Sequence, residues 1–202
     1  LPVISAALVH AIPPAQVRQR AVGRRLVALA LREERRAGMV AAQWDALETA
    51  LEQLKIAYQP LRGPALARRL YPSETLRHSH GATLVIPDND QHARAAEHLQ
   101  AEFGYQAVRH TEYRTVFRAE QRLEVELRPQ VLPIEVRHSE LEIPEGVDVL
   151  INAHFARGRR SGRWMLDLGL LAQAGELDAQ AAADCANRLG CANALGYLAG
   201  LW

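Results

Sequence analysis

The chain is short of lysine, cysteine and aromatic residues, and these shortages narrow the classes of protein it can belong to. Lys55 is the only lysine among 202 residues, so the basic character rests on arginine, which favours a GC-rich bacterial coding background over a recognition strategy. The formal net charge is +1, so no large field demands nucleic acid or a membrane surface as partner. We expect a protein, a peptide or a small-molecule ligand as partner, and the oligomeric state stays open.

Several familiar signatures are also missing. Cys185 and Cys191 have no His or Cys companion at zinc spacing, so we interpret them as reduced thiols of a cytoplasmic protein. No apolar run reaches about 18 residues, and no positively charged segment precedes the mildly apolar start, so we expect neither a membrane span nor a secretion signal. Whether the N-terminus is complete stays open. The Gly-rich phosphate loop, the dinucleotide fingerprint and Gly-x-Ser-x-Gly do not occur.

Hydrophobic periodicity predicts an α+β fold built from three regions. The outer two carry apolar residues at helical spacing, and the central one mixes short alternating segments with two helices. In the N-terminal region Pro14 suits a helix start and Gly38 a helix end, so we predict two successive helices there. The central region predicts a mixed sheet with helices on one side. The three regions cover residues 1–57, 58–143 and 144–202.

The central region also contains two strand patterns that carry functional side chains. The stretch from Leu61 to Asp90 reads LRGPALARRLYPSETLRHSHGATLVIPDND and predicts a strand over about 82–86. In RLEVELRP, Glu124 and Glu126 alternate with apolar residues, so both carboxylates share one face of a strand whose other face is apolar. A last strand is predicted over about 131–136.

These motifs together resemble a family of bacterial nucleotidyltransferases. In that family Leu-Lys-Gly and Leu-Tyr-Pro precede an Arg and a strand with Asp-x-Asp, and a later strand carries a third acidic residue. The resemblance covers roughly residues 44–195 and continues into the C-terminal helical part. The matching positions are Leu61, Arg62 and Gly63, then Leu70, Tyr71 and Pro72, then Arg77, Gly81 and Thr83, Glu124, His154, and the segment from Trp164 to Leu171 with Asp167 at an acidic place.

The resemblance implies a nucleotidyltransferase-like fold in which the paired acids have been replaced. Two carboxylates at i and i+2 hold Mg²⁺ for nucleotidyl transfer, whereas Gly81 offers no ligand and Thr83 only a neutral hydroxyl. We expect no Mg²⁺ or Mn²⁺ beside them and no cofactor. The resemblance thus favours a degenerate protein that binds a partner protein, a peptide or a small ligand in the former cleft. Glu124 and Glu126 would be catalytic remnants, and the ligand-binding candidates are Arg62, Gly63, Arg77 and Thr83.

The alternative is an active Mg²⁺-dependent nucleotidyltransferase, so whether the protein is an enzyme stays open. It would use Glu124 and Glu126 with displaced acids such as Asp88 or Asp90, and transfer a nucleotidyl group to an unidentified acceptor. Asp88 follows a strand end and precedes Gln91 at capping-box spacing, which favours a helix N-cap over a metal ligand.

Arg62 and Arg77 are interpreted in two ways. Guanidinium groups suit phosphate, and the helix that begins at Pro64, after Gly63, could also receive an anion. Alternatively the arginines neutralise Glu124 and Glu126, and we predict that at least one such pair forms. Replacing Arg62 or Arg77 by Ala should then lower the melting temperature, and adding Glu124→Gln should recover part of the loss.

Two further charged groups carry open interpretations. His78 and His80 could bind zinc with help from Glu124 or Glu126, or could be exposed loop histidines. The arginine-rich stretch over residues 32–36 could bind an anion, or could be a solvated helix face paired with its own glutamates.

Overall fold

The computed structural model describes residues 21–130 and 163–188, in which five strands form a single mixed sheet. The helices are α1 (Ala21–Gln53), α2 (Pro64–Leu70), α3 (Asn89–Ala101), α4 (Arg163–Gln173) and α5 (Ala179–Arg188). The strands are β1 (Gln59–Arg62), β2 (Gly81–Val85), β3 (Gln106–Thr111), β4 (Arg114–Arg118) and β5 (Glu124–Arg128).

The sheet has the strand order β1-β2-β5-β4-β3. Strands β2 and β5 run parallel, and the other neighbours are antiparallel. The parallel pair requires a long crossover, which α3 and the β3–β4 hairpin provide. The predicted α+β fold is confirmed. No helix in the described parts of the chain has both the length and the apolar character that crossing a bilayer requires.

One face of the sheet forms the hydrophobic core. Side chains from β2, β4 and β5 alternate, so every second residue points toward α1 and α3. Trp44 of α1 is fully buried in this cluster, and Leu99 of α3 is nearly so. The sheet contributes Ala82, Leu84, Phe117, Leu123, Val125 and Leu127.

The N-terminal helix differs from the prediction because Gly38 does not end it. Helix α1 runs through Gly38, where a Cβ atom would meet nothing within 4 Å. A helical glycine costs roughly 1 kcal/mol relative to alanine. Burial of Trp44 and Leu51 farther along α1 offsets this cost. The predicted start at Pro14, the strand over 131–136 and His154 lie outside the described residues.

The N-cap of α3 is as predicted, but the Gln91 side chain does not close the predicted capping box with Asp88. The Asp88 side chain accepts a hydrogen bond from the backbone N–H of Gln91 at 2.8 Å, so Asp88 is the N-cap. The Gln91 side chain accepts from the N–H of Ala57 at 2.6 Å, which ties the end of α1 to the start of α3. At the other end Gly104 takes a φ of 68°, the left-handed conformation that suits glycine.

A buried ion pair attaches α4 to the sheet. Arg77 donates to both carboxylate oxygens of Asp167, at 3.0 and 2.9 Å, and to Gly63 O and Ser79 Oγ, each at 3.1 Å. Tyr71 donates its hydroxyl to the same carboxylate at 2.6 Å. The Arg77 and Asp167 side chains are 8% and 5% exposed. Water therefore hardly solvates these two charges, and each is compensated by the other.

Replacing Asp167 by Ala should lower the free energy of unfolding by about 3 kcal/mol, because it leaves the Arg77 guanidinium buried without its counter-charge. Asp45→Ala is the matched control, since Asp45 pairs with Arg68 on the surface with a side chain 60% exposed. That change should cost less than about 1 kcal/mol. Urea denaturation measures both.

The double variant Arg77→Ala with Asp167→Ala should be less destabilised than the sum of the two single changes, because no lone charge remains buried. Equal losses for Asp167→Ala and Asp45→Ala would show that the buried pair contributes no more than a surface pair.

Candidate functional site

The sheet face opposite the core is polar, and we call it the polar face. Partners in register point to the same side of a sheet, so Thr83 shares this face with Glu126. Gly81 is the register partner of Glu124. The structure therefore brings together Gly81, Thr83, Glu124 and Glu126, as the sequence predicts. Thr83 is fully buried and Glu126 is 3% exposed.

The backbone around Gly81 leaves no room for a side chain. A Cβ atom there would lie 2.8 Å from the carbonyl oxygen of Glu124 and 3.3 Å from its Cβ. The first of these distances is too short for a real Cβ contact, and the opposing atom belongs to the backbone. Strands β2 and β5 would have to separate before a carboxylate could stand at position 81.

Gly63, which follows β1, lies against the backbone of Gly81. It has a φ of 98°, and a Cβ atom on it would overlap the carbonyl oxygen of Gly81. A side chain is thus excluded both by conformation and by contact. Position 63 therefore requires a residue without a side chain. The Gly63 carbonyl oxygen accepts a hydrogen bond from Arg77 at 3.1 Å.

Both glutamates of the polar face are paired with arginines. Glu126 Oε1 accepts from Arg128 Nε at 2.6 Å, and Glu126 Oε2 lies 3.7 Å from Arg114 Nη1. Glu124 Oε2 accepts from Arg118 Nε at 2.6 Å. The pair of Glu126 and Arg128 is buried, whereas Arg118 is 65% exposed. The electrostatic character of the face thus changes from a buried ion pair to a solvated one along β5.

The predicted pairing of Arg77 with Glu124 or Glu126 is wrong, and other arginines pair with these glutamates. Arg77 pairs with Asp167, so Glu124→Gln has no charge to relieve in an Arg77 variant. Its four hydrogen bonds leave the guanidinium little capacity for phosphate. The side chain of Arg62 lies outside the described residues, and its pairing stays a prediction.

The displaced acids do not join this site. Asp88 follows the far end of β2, seven residues beyond Gly81, which is about 20 Å along an extended strand. Asp88 caps α3, and Asp90 lies in the first turn of that helix. Neither carboxylate reaches Glu124, which stands beside Gly81 at the start of β5.

Comparison with known families agrees with this arrangement. A family model described as an uncharacterised nucleotidyltransferase matches residues 3–151, which is more than half of the chain. The chain belongs to this nucleotidyltransferase family. The match spans all five strands, including the polar face. No curated protein and no solved structure gives a significant match.

In this family member, hydrogen bonds and an ion contact connect the loop before β2 to α1. The Glu33 carboxylate contacts His78 Nδ1, and His78 Nε2 lies 2.9 Å from His80 Nε2. Arg36 donates to Ser79 O at 2.6 Å and reaches His80 Nδ1 at 3.2 Å. Glu33 is 5% exposed, so the interpretation of this stretch as a solvated helix face is wrong for Glu33.

The same contacts do not suit a metal site. When Arg36 donates to Nδ1 of His80, the ring proton of His80 is placed on Nε2, and a protonated nitrogen cannot ligate. Glu33, rather than Glu124 or Glu126, contacts His78. In the described parts of the chain no three His, Cys, Asp or Glu side chains are placed to hold a metal ion.

The arginines that face the glutamates are the residues of the candidate site that sequence reasoning missed. Arg114 and Arg118 flank Val116 at i and i+4 on β4, and Arg128 follows Glu126 by two residues. This period-2 placement on neighbouring strands was the available signal. Pairing them with the glutamates also requires the β4–β5 register, which the sequence does not state.

Replacing Gly81 by Ala should destabilise the protein by about 1–3 kcal/mol, because its methyl group meets the backbone of Glu124. Gly38→Ala is the matched control, since nothing lies within 4 Å of that position. It should stabilise the protein by about 0.5–1 kcal/mol through helix propensity. Thermal unfolding of both variants provides the comparison, and a Gly81→Ala variant as stable as the parent would show that β2 and β5 separate easily.

Proposed function

We propose that this protein is a catalytically degenerate nucleotidyltransferase-like protein whose polar face binds a partner protein, a peptide or a small ligand. The contact of Gly81 with Glu124 carries the proposal. A two-metal site needs anionic oxygens on β2, and the backbone spacing at Gly81 excludes any side chain there.

The ion pairs on the polar face support the same function. Three arginines contact the two glutamates, and their guanidinium groups supply the positive charge that divalent cations supply in a metal-dependent enzyme. Glu126 would have to give up its 2.6 Å contact with Arg128 before it could ligate Mg²⁺. Separating that buried pair is costly, because it leaves a charge without compensation.

The exposed end of this face is the part that a partner can reach. Glu124 and Arg118 have side chains 36% and 65% exposed, and their pair is solvated. Exposed ion pairs contribute little to stability, so these side chains can exchange one partner for another at small cost. A partner with both charge signs, such as a peptide, matches this end of the face.

An active Mg²⁺-dependent nucleotidyltransferase is the second candidate, and the common face of Glu124 and Glu126 is the observation that favours it. Transfer to an unidentified acceptor would then require the arginines to move when nucleotide and metal bind. The two candidates differ in whether metal and nucleotide bind at all.

Calorimetric titration with Mg²⁺ and each of the four nucleoside triphosphates should give no saturable heat that depends on Mg²⁺. The Arg118→Gln variant should behave in the same way, although Glu124 is then released from its 2.6 Å pair, because Gly81 still supplies no ligand. This variant separates two explanations, blockage by arginine and absence of the second carboxylate.

Mg²⁺-dependent binding of a nucleotide by the parent, lost in Glu124→Gln, would overturn the proposal in favour of the enzyme. Binding gained only in Arg118→Gln would show that arginine alone closes the site.

A further inference from the structure

A cleft of about 330 Å³ lies on the core side of the sheet, between α1 and the β4–β5 turn. One wall is a single face of α1, with Arg36, Met39 and Gln43 at spacings of three and four residues. The opposite wall is formed by Arg122 and Leu123 at the start of β5. The volume is within the range of small-molecule sites.

The walls are held at a fixed distance by Gln43. Its Oε1 accepts from the backbone N–H of Leu123 at 2.7 Å, and its Nε2 donates to Gln121 O at 3.3 Å. Gln121 has a φ of 56°, a left-handed conformation that costs energy in a residue other than glycine. The bridge from Gln43 helps to hold this turn, so the cleft is formed before any ligand enters.

The lining is positive and partly apolar. None of the residues that line the cleft is acidic. Arg36 is already engaged, since it donates to Ser79 O at 2.6 Å, contacts His80 Nδ1 at 3.2 Å and lies 3.5 Å from Glu33. Arg122 stacks 5.8 Å from the centre of the Phe103 ring and has no carboxylate partner in the described parts of the chain. Met39 is 49% exposed and adds a flexible apolar surface.

We infer that this cleft binds a small organic anion, with the anionic head at Arg122 and a compact apolar body against Met39 and Val40. An unpaired guanidinium beside an apolar wall matches a carboxylate or phosphate group attached to a hydrocarbon. The inference goes beyond the proposed function, because the cleft and the polar face lie on opposite sides of the sheet. It would stand if the polar face proved to bind nucleotide.

Octanoate is a suitable probe, titrated by calorimetry below its micelle concentration. It should bind with one-to-one stoichiometry, whereas octyltrimethylammonium, with the same chain and the opposite charge, should not bind. Inorganic phosphate should bind more weakly than octanoate, since it has no apolar body. Arg122→Gln should weaken octanoate binding about tenfold, as expected for the loss of one charge-assisted contact.

Two variants keep the test independent of folding. Arg109→Gln removes an exposed arginine from β3, outside the cleft, and should bind octanoate like the parent. Met39→Trp should fill the cleft and weaken binding without lowering the melting temperature, because Met39 lies at the surface. Absence of saturable octanoate binding, equal binding of octyltrimethylammonium or phosphate, or equal affinities of Arg122→Gln and Arg109→Gln would each overturn the inference.

Discussion

The buried pair of Arg77 and Asp167 holds the backbone around Gly81 in place. Its guanidinium binds the Asp167 carboxylate on α4 and the carbonyl oxygen of Gly63, and Gly63 in turn lies against Gly81. A charge buried to this extent must keep its partner, so the geometry cannot relax without loss of folding energy. The backbone spacing at Gly63 and Gly81 therefore depends on Asp167 of α4, a helix that is distant from β2 in the sequence.

This constraint distinguishes the two positions on β2 that face Glu124 and Glu126. Position 83 carries a buried polar side chain, that of Thr83. Position 81 has no space for a side chain, because a Cβ atom there would lie 2.8 Å from Glu124 O. The family fold persists because strand pairing and core burial do not depend on those side chains.

The fold was largely predictable from sequence because its signals are local. Alternating residues identified β5, and Asp88 with Gln91 identified the start of α3. The predicted helix end at Gly38 was wrong because helix propensity is only a weak guide to structure. Tertiary packing of the residues after Gly38 keeps α1 helical through this position. Asp167 had been placed at an acidic position of the family, yet its partner Arg77 is 90 residues away, and no local rule specifies such a pair.

The sequence predicted which strands form the candidate site, but it did not predict which charged side chains pair there. Register places Gly81 beside Glu124 and Thr83 beside Glu126, which follows once two strands are known to be parallel neighbours. Which arginine meets which glutamate depends on the antiparallel neighbour β4, and there several cations compete for the same two carboxylates. Arg128 contacts Glu126 at 2.6 Å because it lies two residues away on the same strand, so both buried side chains point to the same face. Proximity along one face, rather than membership of a motif, therefore decides how the acids of this family are compensated here.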